Sequence, residues 1–361
     1  MSEWKECKLV DAAVFQRGHD LPKTEMNMGA IPVAGSNGII GYHNESTTKG
    51  PGLTIGRSGN IGTPKFYRDD FWAHNTVLYV KDFKGNDEKF IFYFLQTFDF
   101  EGFNAGSAVP TLNRNHIHEI PVVIPPLPEQ RAIAGVLSSL DDKIDLLHRQ
   151  NKTLEGMAEA LWRKMFVEEA DPGWDEKGLD EIATFLNGLP CQKFPPDTST
   201  EPLPVIKIKE LRTGITGDSD LATSKVPPNY IVDDGDILFS WSGSLEVVIW
   251  SFGKGVLNQH LFKVTSDDYP KWFCYYWIKH HLSEFRDIAQ DKATTMGHIQ
   301  RHHLSDAKVL IPDQKSFQYL NMQIGPVFEK MIHNLKAIRR FVRLRDTLLP
   351  KLMSGEVKVT L

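Results

Sequence analysis

Two long stretches of the chain carry apolar side chains at alternating steps of four and three residues. The first begins at Ile133 and ends at Met165, and the second begins at Phe317 and ends at Leu352. This spacing is the a/d seam of a coiled coil, so each stretch predicts one long helix. Because a bare apolar stripe is unfavourable in water, we expect the two helices to pack on each other as an antiparallel pair.

Each predicted seam includes one asparagine, a residue type that fixes register at some cost in stability. The defining seam positions are Ile133, Leu140, Leu147, Asn151, Leu154, Leu161, Phe317, Ile324, Met331, Asn334, Ile338 and Phe341. The first helix has an acidic excess and the later part of the second a basic excess, which agrees with antiparallel pairing. Solvated helix faces would explain the same charges.

The remainder of the chain repeats itself once. Pairs of identical residues lie 170 positions apart: Trp4 with Trp174, Leu9 with Leu179, Ala13 with Ala183, Phe15 with Phe185, and Gly18 with Gly188. Further along, the separation becomes 184, pairing Ser58 with Ser242, Gly59 with Gly243, and His74 with Asn258. The pattern predicts two similar globules, the second with inserted loop residues.

Within each copy, short apolar runs are separated by Gly, Asn, Asp and Pro, as strands between turns are. The predicted strands include 53–55, 76–80, 204–208, 236–239 and 247–250. Aromatic residues at helical spacing in 90–98 and 272–278 favour one or two core helices per copy. The chain is thus predicted to be α+β with a pseudo-two-fold repeat. Its segments are a globule at 1–125, a helix at 126–168, a globule at 169–312 and a helix at 313–361.

Composition restricts the function less than the repeat does. The 361 residues are 41% hydrophobic and 24% charged with a net charge of −5, so no strong basic field points to a nucleic acid. Three separated cysteines are typical of reduced thiols, and no apolar run approaches the ~18 residues of a membrane span. We expect a cytoplasmic protein that does not interact with a membrane.

Two motifs resemble a known family. Residues 124–144, which begin Ile-Pro-Pro-Leu-Pro-Glu-Gln-Arg, together with Asn-Lys-Thr-Leu-Glu at 151–155 and Leu-Trp-Arg-Lys-Met-Phe at 161–166, resemble the central conserved region of type I restriction-modification specificity subunits. Residues 344–356, Leu-Arg-Asp-Thr-Leu-Leu-Pro-Lys-Leu-Met-Ser-Gly-Glu, resemble that family's C-terminal signature. The order of globule, helix, globule and helix extends the resemblance over nearly the whole chain.

The resemblance implies a non-catalytic subunit with two target recognition domains. Each domain would read one half of a split, asymmetric site in double-stranded DNA, and the helices would set the spacing and hold two methyltransferase subunits. In such systems S-adenosylmethionine serves the methyltransferase, while ATP and Mg serve a separate motor-nuclease (restriction) subunit, so we expect no cofactor in this chain.

Two alternatives remain. The first is a coiled-coil scaffold that organises protein partners without touching DNA. The second is a fused enzyme, which the absence of a glycine-rich S-adenosylmethionine loop with an adenine-methylase motif disfavours.

The candidate DNA-reading residues are polar side chains on loops near the repeated motifs. Arginine can pair with guanine and asparagine with adenine, while backbone amides at glycine turns approach phosphates. The first copy contributes Arg57, Ser58, Asn60, Lys65, Arg68, His74, Asn75, Asn113, Arg114, Asn115 and His116. The second contributes Lys207, Lys209, Arg212, Ser242, Ser244, Asn258, Gln259, His260, Lys292, Thr294, Thr295, His298, Gln300 and Arg301. Taken singly, each is better explained as a turn residue or a solvated charge, so the prediction rests on the clusters as groups.

Other chemistries find little support. The glycines between 56 and 62 lack the spacing of a nucleotide-binding loop. The adjacent histidines at 280–281 and 302–303 lack zinc-ligand spacing, and no catalytic constellation stands out.

Overall fold

The computed structural model describes residues 4–100, 102, 111–291 and 297–359. The chain divides into two compact units, one formed by Met1–Lys143 with Phe341–Leu361 and the other by Ile144–Arg340. Each unit therefore combines one globule with part of both long helices. The division into four consecutive segments stays a prediction, since the contacts group the helices with the globules.

The first unit begins with a strand and a single helical turn and reaches the first long helix after a short β-rich globule. Its described elements are β1 (Lys5–Lys8), α1 (Leu9–Ala12), β2 (Val14–Arg17), β3 (Ile31–Gly35), β4 (Gly38–His43), β5 (Gly52–Gly56), β6 (Pro64–Tyr67), β7 (Trp72–Ala73), β8 (Val77–Asp82), α2 (Glu88–Leu95), α3 (Arg114–His118), β9 (Pro121–Ile124) and the start of α4 (Leu127–Arg163).

The second globule follows the same order with additions. Its described elements are β10 (Asp175–Gly178), α5 (Leu179–Ile182), β11 (Thr184–Asn187), β12 (Leu203–Ile206), α6 (Ile208–Thr213), β13 (Leu221–Ala222), β14 (Ile231–Val232), β15 (Ile237–Ser240), β16 (Val247–Ile249), β17 (Gly255–Leu257), β18 (Leu261–Thr265), α7 (Lys271–Asp291), α8 (Arg301–Asp306), β19 (Lys308–Ile311) and α9 (Gln314–Met353).

The sheets confirm the internal repeat. One sheet has the order β2-β8-β5-β6 in the first globule and β11-β18-β15-β16 in the second. A second sheet contains the parallel pair β3 and β7 in the first globule and the parallel pair β12 and β17 in the second. The antiparallel pairs β1 with β9 and β10 with β19 join the start of each copy to its end.

Two of the repeated glycines, Gly18 and Gly188, each lie against the main chain of another segment of their globule. A Cβ atom at Gly18 would lie 2.1 Å from the carbonyl oxygen of His74, and one at Gly188 would lie 2.2 Å from that of Asn258. Any larger residue would clash with the main chain. The two glycines are 170 residues apart in sequence, and the residues that they approach, His74 and Asn258, are 184 apart. The same contact in each globule therefore involves both separations.

The aromatic stretches form core helices, as their spacing predicts. Phe90 and Ile91 of α2 are fully buried, as are Phe273 and Ile278 of α7. The helices are more numerous than one or two per copy, because short ones such as α3, α6 and α8 lie among the turns. Strand β12 ends at Ile206, whereas the predicted strand continued to residue 208.

The two long helices pack on each other in antiparallel fashion within each unit. Helix α4 has 37 residues and α9 has 40. In the first unit, Arg345 Nη1 donates to Asp141 Oδ1 at 2.8 Å. In the second unit, Asn151 and Asn334 are hydrogen-bonded at 2.9 Å, and Asn151 also donates to the Met331 carbonyl. Both asparagines thus lie in the seam, as their positions predict.

The predicted seam holds at all but one of its defining positions. Ile133, Leu147, Ile324, Met331, Asn334 and Ile338 are buried, and Leu140, Asn151, Leu154, Phe317 and Phe341 are half-buried. Leu161 is exposed, so its assignment to the seam is wrong. Beyond Ala158 the buried side of α4 continues through Trp162, whose ring contacts Trp277 of α7. This end of α4 packs on the second globule, so its buried side chains lie on a different face of the helix from the predicted seam.

Charge pairing between the helices is limited. The Asp141–Arg345 pair joins α4 to α9, but Glu155 and Glu159 bind Lys279 of α7 instead. The acidic residues of α4 therefore bind the second globule as well as the other helix.

Candidate nucleic-acid interface

In the first globule, three turns meet at Thr76, at the start of β8. The Thr76 carbonyl accepts the amides of Arg57 and Ser58 at 2.9 and 3.2 Å. Its hydroxyl oxygen lies 3.3 Å from the donating amide of Ser36 and 3.0 Å from His74 Nδ1. The structure therefore brings together the candidate segments 57–60 and 74–75, along with Ser36, which the sequence did not single out.

Arg57 is half-buried in this cluster. Burial lowers the pKa of its guanidinium, and the nearby charge of Arg17 lowers it further. The Arg57 Nη1 atom donates to the Asn75 carbonyl at 3.5 Å, and Asn75 donates in turn to Asp20. Two arginines next to the turn favour an anionic ligand, and Arg17 is a further candidate that sequence reasoning missed. Its position directly before the repeated Gly18 was the available signal.

His74 is held as a neutral ring. Its side chain is half-buried, and burial lowers its pKa below the ordinary value of 6.5. At neutral pH it therefore acts as a hydrogen-bonding group beside Thr76 and adds no positive charge.

The second candidate cluster of this globule adjoins the first. Leu112 donates its amide to the Arg57 carbonyl at 2.8 Å, and Thr111 forms a bridge with Ser58. Helix α3 follows directly, with Asn113 capping it by accepting the amide of Asn115 at 3.0 Å. Arg114, Asn115 and His116 are exposed on this helix, which corrects the expectation that they lie on a loop.

The remaining candidates of the first globule differ in their exposure and in the partners that they already bind. Asn60 is exposed and Lys65 half-buried on β6, with Lys65 Nζ 3.1 Å from the place of a Cβ atom at Gly38. Arg68 is exposed and bound to Asp142 of α4 at 2.7 Å. An exposed pair of this kind contributes little to stability, so a phosphate could compete for Arg68.

The second globule has an equivalent cluster. Ser242 Oγ lies 3.1 Å from His260 Nδ1, and Ser242 forms a bridge with His298. That bridge corresponds to the one between Ser58 and Thr111. Trp241 Nε1 lies within 3.2 Å of the Gln259 carbonyl, which places Gln259 in the same group. Trp241 is another candidate that sequence reasoning missed.

Two residues of this cluster have structural roles. Asn258 is buried and its side-chain oxygen accepts the amide of His260 at 3.3 Å, while Ser242 is only 3% exposed. Ser244 is exposed, and its carbonyl accepts the Ser240 hydroxyl. We therefore regard Asn258 and Ser242 as supports for the exposed and half-buried side chains around them.

The cations of the second globule are mostly engaged with the protein itself. Lys207 binds Asp220, and Arg212 Nε donates to Glu246 at 2.7 Å. The Arg301 guanidinium lies 5.7 Å from the ring centre of Phe262. Lys209 is exposed on α6, and Arg212 and Arg301 also lie on helices, not on loops.

The last candidates of the second globule lie between residues 292 and 300 of the sequence. Gln300 is exposed and immediately precedes α8. Lys292, Thr294 and Thr295 lie outside the described residues.

In the ranges that the structure describes, His, Cys, Asp and Glu side chains do not gather in groups of three or more suited to a metal ion. Across the same part of the chain, none of the helices combines the length and apolar character that crossing a membrane requires.

The duplicated globule with its two long helices defines a two-domain recognition protein. A family model described as the type I restriction modification DNA specificity domain matches residues 1–156 and 172–338. The chain therefore belongs to the type I restriction-modification DNA specificity family, with two copies of the domain.

Individual relatives agree with this membership. The chain is 26% identical to the type I restriction enzyme MjaIX specificity subunit of Methanocaldococcus jannaschii, over 98% of this chain and 80% of that protein. It is 20% identical to the HindI specificity subunit of Haemophilus influenzae, over 69% of this chain and 71% of the relative. The crystal structure of a type I S subunit from M. genitalium matches with a TM-score of 0.67 and 16% identity, covering 97% of this chain and 96% of that one. The last match concerns the fold.

Proposed function

We propose that each globule reads one half of a bipartite, asymmetric DNA site through the residues gathered around Thr76 and His260. The observation that carries the proposal is a bridge that both copies share. In the first globule it joins Ser58, after β5, to Thr111, before α3. In the second it joins Ser242, after β15, to His298, before α8. A common frame with different side chains suits the reading of two different short sequences, because each base pair presents its own pattern of donors and acceptors.

The long helices are proposed to set the distance between half-sites and to dock two methyltransferase subunits. At about 1.5 Å per residue, each helix is roughly 55–60 Å long, on the scale of one and a half turns of B-DNA at about 34 Å per turn. A helix pair held by a central Asn151–Asn334 contact resists sliding, which a spacer requires.

The chemistry is assigned to the partners. A methyltransferase subunit would methylate adenine with S-adenosylmethionine, and a restriction subunit would use ATP and Mg. This chain would supply base discrimination without a catalytic step, in the cytoplasm. The net charge of −5 fits this division, since the partners can provide many of the phosphate contacts.

Methylome mapping tests the proposal. The chain is co-expressed with a cognate methyltransferase subunit, and modified adenines are mapped across the host genome. A single bipartite motif is the expected result, and random or absent modification contradicts it.

The alternative, a protein scaffold, is tested by salt titration. The reconstituted complex should lose affinity for duplex DNA steeply as salt rises, because neutralising phosphates releases counterions. A scaffold would not bind duplex DNA even with its partners present.

A further inference from the structure

Strand β4 of the first globule presents apolar side chains to solvent on a sheet edge that is unpaired within the part of the chain that the structure describes. Ile39 and Tyr42 are 53% and 56% exposed, and β4 is the outer strand of the sheet β4-β3-β7. Exposed apolar edges promote unwanted association, and natural proteins usually protect them. These side chains are therefore expected to be covered when the protein works.

The turn of the same hairpin adjoins the candidate interface. The Ser36 amide donates to the Thr76 hydroxyl, and Ser36 Oγ lies 3.9 Å from the place of a Cβ atom at Gly59. On the other side, Lys65 Nζ lies 3.1 Å from the place of a Cβ atom at Gly38. The hairpin surface is thus continuous with the arginine-bearing turn and is flanked by a lysine.

The second copy has a different element at this position. Strand β12 corresponds to β3, but it leads into α6, where β3 leads through a tight turn into β4. Ile208 of α6 contacts the place of a Cβ atom at Gly243 at 3.6 Å, as Ser36 does at Gly59. The two copies therefore differ in the element that follows this shared strand, and that element lies beside the turn glycine in both.

We propose that the hairpin formed by β3 and β4, with Asn37 in its turn and Ile39 on its edge strand, reads an A·T base pair in the major groove of the first half-site. The inference rests on the proposed function. The major groove admits a two-stranded ribbon, asparagine pairs with adenine N6 and N7, and an aliphatic side chain contacts the thymine methyl group. Asn37 is exposed in the turn, and Lys65 is placed to bind a neighbouring phosphate.

The first experiment maps methylated adenines in cells that express the methyltransferase subunit with native chain, Asn37→Ala, Asn37→Asp or Ile39→Ala. Asn37→Asp keeps a residue type suited to turns but removes the amide donor. Val123→Ala is the matched control, because Val123 is an apolar residue of β9 with a comparable exposure of 43%. We expect each Asn37 variant to lose preference at one A·T pair of the first half-site by about fivefold to a hundredfold. The control should keep the native motif.

The second experiment uses the mapped site as a duplex in which the thymine of that pair is replaced by uracil, which lacks only the methyl group. Native complex should bind the uracil duplex about fourfold more weakly. The Ile39→Ala complex should bind both duplexes equally, because the contact has already been removed.

The outcomes separate the two proposals. If native chain yields no bipartite motif, the proposed function fails and this inference fails with it. If native chain yields a motif that all hairpin variants retain, or if Ile39→Ala still distinguishes thymine from uracil, only the hairpin assignment is overturned. Loss of complex assembly in Ile39→Ala, with Val123→Ala assembling normally, would assign the edge to a protein partner and also overturn it.

Discussion

The Asn334 side chain donates to the side-chain oxygen of Asn151 at 2.9 Å, in the part of the seam that belongs to the second unit. Asn334 is fully buried, and its own Oδ1 atom has no hydrogen-bond partner among the described residues. This pair fixes register at the expense of stability, because an apolar pair of the same size would bury no unsatisfied polar atom.

The effects of replacing the two asparagines on the free energy of unfolding should be strongly non-additive. Asn151→Leu or Asn334→Leu alone should lower the free energy of unfolding by about 1–3 kcal/mol, because each leaves a polar partner unsatisfied. The double variant should be at least as stable as native chain. Urea unfolding of the four proteins measures this, and additive single effects would contradict the pairing.

Arg57→Ala and Arg114→Ala should relax sequence preference in the first half-site only. The two arginines lie on adjoining segments of one globule, and a good bidentate arginine contact contributes about 1–3 kcal/mol of discrimination. Arg301→Ala is the matched variant in the second globule and should affect the other half. The methylome motifs of the three variants measure this. An equal effect on both half-sites would contradict the proposal that each globule reads one of them.

Glu246→Gln should strengthen binding to duplex DNA. The carboxylate holds Arg212 through Nε at 2.7 Å, and its removal leaves that guanidinium available to a phosphate. Fluorescence anisotropy of the reconstituted complex should show tighter binding with a steeper salt dependence. Glu329→Gln, an exposed position on α9, removes the same charge and should change binding less.

Gly18→Ala and Gly188→Ala should each destabilise the globule that carries it, by at least about 2 kcal/mol. The added methyl groups would lie 2.1 and 2.2 Å from main-chain oxygen atoms, so the backbone must move. Gly156→Ala on α4 is the control, because among the described residues nothing beyond the helix's own backbone lies within 4 Å of its Cβ position. That substitution should stabilise the chain by roughly 0.5–1 kcal/mol. Thermal unfolding distinguishes the cases.

Stability should fall above pH 10. Burial raises the pKa of Tyr93 well above its ordinary value of 10.0, and its hydrogen bond to Asp141 raises it further. The unfolded chain then releases a proton that the folded chain keeps. The stabilisation is complete below pH 10 and is lost as pH rises, by about 1.4 kcal/mol per pH unit for this group.

Urea unfolding at pH 9 and pH 11 measures the effect. Tyr93→Phe should reduce the fall between the two values, whereas Tyr42→Phe, at an exposed position, should not. An unchanged fall in Tyr93→Phe would show that other groups cause it.

The sequence predicted the repeat, the helix pair and several of the strands, because these depend on periodic patterns that act locally. Periodicity did not predict the end of the seam at Leu161, because there the partner of α4 changes from a helix to a globule. It also placed a strand over 204–208, where Glu210 accepts the Lys207 amide at 3.1 Å and a helix begins.

The candidate interface was predicted in part. Arg57, Asn75 and Arg114 stand beside repeated glycines or polar runs, so composition marks them. Ser36 joins them only because chain segments far apart in sequence are paired in the sheets, and no local pattern records such pairings. Arg17 also went unnoticed, although it directly precedes the repeated Gly18.

The parallel pairings of β3 with β7 and of β12 with β17 enclose the segment at which the copies diverge. A genetic exchange confined to that segment would leave the parallel strand pairs, the contacts of Gly18 and Gly188, and the two long helices intact. Such a chain would acquire new side chains beside the turn glycine in a single event, while the frame that holds them would stay unchanged.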